Sequence, residues 1–198
     1  VNLTAGRAVP GTLRWRDDVG LTALSPDERT LVVGHGAALQ FWSVRSMIEA
    51  RTVVPLSMIH PEDHVTQVAW APNGRLMLAT VSSGKLLFVD PRYSSRVIMG
   101  RESFNDDLFT ERHNFQARWI IAGRVRISDD SRFAAIACRY VNARFAYMLS
   151  IQVWDLKRKK RVQQILAPRF HTYLEEENII ALDISRDGEF VLWMGWQS

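Results

Sequence analysis

Ser128-Asp129-Asp130-Ser131, followed by the apolar run Phe133 to Cys138 and then by Ile151-Gln152-Val153-Trp154-Asp155, is the stretch that decides the architecture. It reads as a tight turn, a buried-type strand, and a further strand closed by Trp-Asp. The same unit recurs, with turns at Ser25-Pro26-Asp27-Glu28, Ala71-Pro72-Asn73-Gly74 and Ser185-Arg186-Asp187-Gly188. Pro presets φ for a turn, Asp and Asn hydrogen-bond their own backbone, and Gly supplies φ > 0, so each of these is a hairpin turn with a mechanism. A short strand leads into each turn, carrying Val65, Val68 and Trp70 in one copy and Ile179, Leu182 and Ile184 in another. After the first three turns come Leu31 to Val33, Leu76 to Val81, and Phe133 to Cys138.

A third strand then ends in a recurrent signature: Leu39-Gln40-Phe41-Trp42-Ser43, Leu86-Leu87-Phe88-Val89-Asp90, and Ile151-Gln152-Val153-Trp154-Asp155. With these residues in place the chain resembles the WD-repeat family of β-propellers. The dipeptide is intact only at Trp154-Asp155; one copy keeps Trp42 with Ser43 and another keeps Asp90 behind Val89. The turns begin 46, 57 and 57 residues apart, against roughly 40 to 45 residues per family blade, so the excess is insertion. The resemblance implies an all-β chain of four-stranded antiparallel blades, about three and a half of them, the first strand of each innermost. The expected boundaries are a leading strand over 12–16, blade one over 19–59, blade two over 65–100, blade three over 119–166 and an incomplete blade four over 179–198. Trp42, Phe88 and Trp154 are expected to be equivalent in successive blades. A closed ring of seven blades needs roughly 300 residues, so the chain reads as part of a propeller; its start at Val1 points the same way. The remainder would come from the same protein or another chain, and the open strand edge would recruit it.

Departures from the family pattern are evident. Its lead-in Gly-His has only His60, after Ile59, as a counterpart, and its turn Asp is replaced by Ser83 or Gly84 in blade two. The hydrogen-bonded set of His, Asp, Ser and Trp that the resemblance implies is therefore incomplete.

Composition agrees with a folded chain. Of 198 residues, 47% are apolar and 23% charged, which excludes disorder. The longest apolar run, Phe133 to Cys138, falls far short of the roughly 20 residues that cross a bilayer as a helix. One cysteine cannot form an internal disulfide and suits a reducing compartment, so an intracellular setting, cytoplasmic or nuclear, is expected. Asn2-Leu3-Thr4 fits a glycosylation acceptor, but no secretory signal accompanies it.

Antiparallel order puts the connection between strands two and three, and the crossing to the next blade, on one face. The long connections Arg101 to Ala117, Tyr140 to Ala146, and Pro168 to Asn178 all belong to that class. They carry Phe104, Phe109, Arg112, Tyr140, Arg144, Phe145, Phe170 and Tyr173, and aromatic and Arg side chains dominate interface hot spots. These residues are candidates for binding a protein partner; the alternative is that the aromatics fold back and fasten the loops. Lys157, Arg158, Lys159, Lys160 and Arg161 form a basic run on the opposite face, able to contact phosphates or serve in nuclear import, or simply to be a solvated turn.

Catalytic chemistry has little to stand on. His60-Pro61-Glu62-Asp63-His64 lacks the helix that an HExxH zinc site needs, and no nucleophile elbow, phosphate-cradling loop or dinucleotide fingerprint is present. Cys138 reads as a core residue and Glu175-Glu176-Glu177 as a solvated loop. Asp90-Pro91-Arg92 and Trp154-Asp155-Leu156-Lys157 resemble the site by which some ligase-linked family members dock an adaptor, the first without Trp and the second with Lys for Arg. No metal, cofactor or catalytic residue is expected. The function expected is a non-catalytic protein interaction scaffold, a subunit of a complex, with two alternatives: a nucleic-acid-associated propeller using the basic turn, or a non-catalytic propeller domain of a larger enzyme.

Overall fold

The computed structural model of the chain describes residues 19–46, 48–55, 63–82, 85–92, 97–99, 119–141, 147–166 and 179–195. All regular elements among them are strands: β1 (Val19–Leu24), β2 (Thr30–His35), β3 (Ala38–Ser43), β4 (Ile48–Pro55), β5 (Val65–Trp70), β6 (Met77–Val81), β7 (Leu86–Val89), β8 (Val97–Met99), β9 (Trp119–Ile127), β10 (Phe133–Val141), β11 (Tyr147–Asp155), β12 (Lys160–Leu166), β13 (Ile179–Ile184) and β14 (Val191–Gly195). They form antiparallel meanders, β1-β2-β3-β4, β5-β6-β7-β8 and β9-β10-β11-β12, followed by the pair β13-β14. The leading strand over 12–16 and His60 lie outside the described residues.

The sheets stack face to face through their first strands, β1 against β5, β5 against β9, and β9 against β13. These strands run the same way. The Trp70 indole N–H at the end of β5 donates to the Ala23 carbonyl near the end of β1 at 3.3 Å, and the Arg126 guanidinium late in β9 donates to the Leu182 carbonyl of β13 at 3.2 Å. Blades two and three are sandwiched, which explains why β6, β7 and the stretch Ile151–Asp155 are buried on both faces.

Strand alternation then assigns each side chain to one interface. Val32, Leu39 and Phe41 of blade one meet Met77, Ala79, Leu87 and Val89 of blade two. Leu78 and Phe88 from blade two meet Ala134, Ile136, Cys138 and Trp154 from blade three. Ala135, Ala137, Ile151 and Val153 meet Leu182 and Ile184 of blade four.

All four hairpin turns share one backbone geometry. Each first residue accepts a hydrogen bond from the fourth, as in Glu28 N–H to Ser25 and Gly74 N–H to Ala71, both within 2.9 Å. The fourth residue is left-handed every time, with φ of 58° at Glu28, 68° at Gly74, 60° at Ser131 and 77° at Gly188. Where the turn starts with Ser, the hydroxyl donates to the third-position carboxylate, Ser25 to Asp27 and Ser185 to Asp187 at 2.6 Å and Ser128 to Asp130 at 2.7 Å. Those bonds hold Asp27 and Asp187 below the usual carboxylate range, the hydroxyl contributing most and the backbone N–H of Arg29 or Glu189 next. The second turn replaces Ser with Ala71 and keeps only the Asn73 side-chain bond to the Arg75 N–H, at 2.9 Å.

Counting from these turns aligns the third strands. Leu31 pairs with Trp42, Met77 with Val89 and Ala134 with Trp154. The equivalent of Trp42 and Trp154 is therefore Val89. Phe88 sits one residue earlier and faces the other way, so its expected equivalence does not hold; Phe41 and Val153 are its counterparts. Asp90 remains in phase with Asp155 and Ser43, and the position has a common task. Asp155 accepts the Arg158 N–H at 2.9 Å, Asp90 the Arg92 N–H at 3.0 Å and Ser43 the Ser46 N–H at 3.4 Å, each capping the turn that leaves strand three.

The Trp154 ring is fully buried and lies 6.2 Å from the Phe88 ring at 57°. Its indole N–H donates to the Gln152 amide oxygen at 3.0 Å, on the same strand and the same face. This pair occupies the place where the family resemblance implies a Ser–Trp link. Cys138, buried beside it, has its thiol pushed far above the usual range by desolvation, against which the charge of Arg161 is a lesser effect. It is a packing residue.

Candidate interaction surface

Two ends of the sheet stack differ in what leaves them. Val141 pairs with both Trp119 and Tyr147, and Leu166 pairs with Ser150 near the start of β11. The start of β9, the end of β10, the start of β11 and the end of β12 thus share one end of blade three. In blades one and two, the Val65 N–H donates to the Gly36 carbonyl at 3.0 Å, putting the start of β5 beside the β2–β3 turn. All three long connections accordingly depart from and return to a single end of the stack.

Tyr140 departs from expectation. It pairs with Met148 inside the β10–β11 ladder rather than lying in a connection, because these two strands run nine residues each. Residues 142–146, including Arg144 and Phe145, lie outside the described residues, as do Phe104, Phe109, Arg112, Phe170, Tyr173 and Glu175 to Glu177.

The opposite end carries the tight turns. Phe133 pairs with Asp155, which pairs with Lys160, so Lys157 to Lys159 turn back beside Ser128–Arg132; the Leu156 N–H donates to the Arg132 carbonyl at 2.8 Å. Lys157, Arg158 and Lys160 are exposed, whereas Lys159 and Arg161 are half-buried. Lys159 is left-handed, φ 55°, and Arg158 reaches back toward Asp155 at 3.8 Å. The run therefore offers three outward cations rather than five.

The same end holds a groove that sequence reading does not anticipate. Between the turns of blades one and two lies an open cleft of about 590 Å³, lined by Ser25, Pro26, Asp27, Thr30, Trp70, Pro72, Asn73, Gly74, Pro91 and Arg92. Arg92 is folded onto Asp90 through both carboxylate oxygens, at 3.0 and 2.8 Å, which engages the planar fork that adaptor docking would need. The groove is assembled from turns far apart in sequence, so only the recurrence of the turns hints at it.

Among the described residues, no group of three or more His, Cys, Asp or Glu side chains is placed to hold a metal ion. Asp63 is buried and within 3.4 Å of the Ser82 hydroxyl, and Ser82 accepts the His64 N–H at 3.1 Å, a local clasp at the start of β5. No helix among the described residues is long and apolar enough to cross a membrane.

No family model and no curated protein matches the chain. Among solved structures it is similar to U3-55K, with a TM-score of 0.57 at 14% identity over 87% of this chain and 45% of that one. It is also similar to the β-propeller domain of Cps50 (Swd1) from Myceliophteria thermophila, with a TM-score of 0.56 at 12% identity over 90% of this chain and 48% of that one. The fold is that of a β-propeller. The chain spans about half the length of the propellers it resembles, in keeping with three four-stranded blades and one strand pair among the described residues. Propellers of this kind serve in general as non-catalytic scaffolds for protein interaction.

Proposed function

We propose that the chain is a non-catalytic scaffold that binds a protein partner through the long connections on one end of its blades, as a subunit of a complex. The observation that carries this reading is the convergence of the strand ends flanking 100–118, 142–146 and 167–178 on one end of the stack. Those segments hold Phe104, Phe109, Arg112, Arg144, Phe145, Phe170 and Tyr173, residue types that anchor interfaces. Tyr140, at the last turn of the β10 ladder, stands at their base. Connections held on packed strands surrender less conformational freedom on binding than connections on a mobile support. The test is affinity capture from extract with the wild-type chain, a chain shortened over 101–117, and a chain with Lys157, Arg158 and Lys160 changed to Ala. Proteins retained after nuclease, lost on shortening and kept by the triple substitution support the reading; a set indifferent to shortening overturns it.

A second reading rests on the exposed cations Lys157, Arg158 and Lys160, which suit contact with phosphates in an RNA- or DNA-containing complex. Capture abolished by nuclease and by the triple substitution, with affinity falling steeply as salt rises, is its signature.

A further inference from the structure

Leu192 is 73% exposed, yet its turn-counted equivalents Val32, Leu78 and Ala135 are each 0% exposed. In blades one to three that position faces the following blade. Phe190 and Met194 flank Leu192 at alternate positions along the strand and are 72% and 54% exposed. Their opposite neighbours Val191 and Trp193 pack against blade three. The outer face of β14 is thus built as the leading half of a blade-to-blade interface and has no sheet upon it.

Blade one presents the matching half. Trp42 holds the register of Val89 and Trp154, which are buried against a preceding blade at 1% and 0% exposure, but Trp42 itself is only half-buried. Leu24, aligned with Trp70 just before the turn, is 49% exposed. Each copy therefore carries both members of the interface already repeated three times within it, at opposite ends of the stack.

We propose that the face of Phe190, Leu192 and Met194 is covered by the Leu24–Trp42 face of a second copy of this chain, and reciprocally, so that two copies close one ring head to tail. The chain spans 45% and 48% of the solved propellers it resembles, so two copies supply the blades of one closed ring. Heterologous contacts close when the accumulated rotation completes a turn, and otherwise run on as open chains.

The experiment is light scattering on the eluting chain over roughly 1–100 µM, the span separating weak from stable association. The wild-type chain is expected at twice its single-chain mass. Leu192→Asp and Leu24→Asp alone are each expected at single mass. An equimolar mixture of the two is expected to regain the double mass, because one of the two interfaces is then wild type on both sides. Leu192 is surface in a single copy, so far-UV dichroism of Leu192→Asp should match wild type; Leu192→Gln serves as a milder second variant. Three results overturn the proposal: single mass throughout for the wild-type chain, a double mass untouched by both Leu192 substitutions, and a ladder of larger open assemblies.

Discussion

Emptying the Trp154 site is the severest single perturbation the core allows, and its cost can be worked from the contacts. The ring is 0% exposed and is the largest of the fully buried side chains. Replacing a buried aromatic with Ala costs about 3–5 kcal/mol in lost transfer energy and cavity. Trp154→Ala also strands the Gln152 amide oxygen, which accepts the indole N–H at 3.0 Å in a side chain only 2% exposed; an unsatisfied buried acceptor costs about 1–3 kcal/mol. The two overlap, so about 5 kcal/mol is expected, a fall in Tm of about 10–20 °C for a chain of this size. The terms can be separated. Trp154→Phe keeps most of the ring against Phe88 but removes the donor, for about 2 kcal/mol. Adding Gln152→Met to Trp154→Phe removes the stranded acceptor and should restore about 1 kcal/mol. Denaturant and thermal melts followed by far-UV dichroism read all four proteins without reliance on tryptophan fluorescence. A Trp154→Ala melt within about 1 kcal/mol of wild type, or a double substitution less stable than Trp154→Phe, would refute the reasoning.

Glu28 is a left-handed non-glycine residue at φ 58°, so Glu28→Gly should stabilise by about 0.5–1 kcal/mol once the strain of about 1–2 kcal/mol is set against glycine's chain entropy. Ser131→Gly should gain less in the same melts, because the Ser131 hydroxyl also accepts the Asn73 N–H at 3.0 Å. Gly34→Ala should cost about 1–3 kcal/mol, since a Cβ there would lie 2.7 and 2.9 Å from Val65 side-chain carbons across the blade one–blade two interface; a neutral denaturant midpoint would show that β2 and β5 are not so close. The carboxyls of Asp27 and Asp187 are depressed in the folded chain relative to the ordinary value of 3.8. Their stabilisation is therefore complete above that value and is lost as pH falls through the lower folded values. Asp27→Asn with Asp187→Asn should flatten the acid limb of a stability–pH curve below about pH 4 while leaving neutral-pH slopes unchanged.

The turns made the fold legible because their chemistry is local: Pro, Asp, Asn and Gly dictate backbone angles within four residues. What could not be read was the register of blade two. Leu86-Leu87-Phe88-Val89 is buried on both faces, so it carries no alternation from which to infer direction, and the size of Phe88 drew attention from Val89. Asp90 was the sounder marker, since capping the turn after strand three needs an acceptor at one fixed position. Tyr140 was misplaced for a related reason, because nothing in the composition of Tyr140 and Val141 distinguishes a long strand from the start of a loop. The Pro-lined groove escaped notice because turns 46 residues apart in sequence meet only after the blades stack.

The asymmetry between the two ends bears directly on function. At the end of the tight turns, the first, third and fourth hairpins are held by a Ser hydroxyl on a carboxylate and the second by Asn73 on its own backbone. The turns leaving the third strands of blades one to three are each capped by the residue at the Asp155 position. Bonds within and between turns also fasten neighbouring blades there, as Asn73 does to Ser131. The other end spends its residues on connections, while the strands beneath it are locked at their far ends. A partner bound at that end meets a fixed base, so the conformational entropy lost on binding is confined to the connections themselves. Substitutions in the tight turns should therefore change stability far more than partner affinity, whereas substitutions in 101–117 should do the reverse. A single substitution in Asp130 or Asn73 that weakened binding without moving the melt would break that division and shift the binding surface to the opposite end.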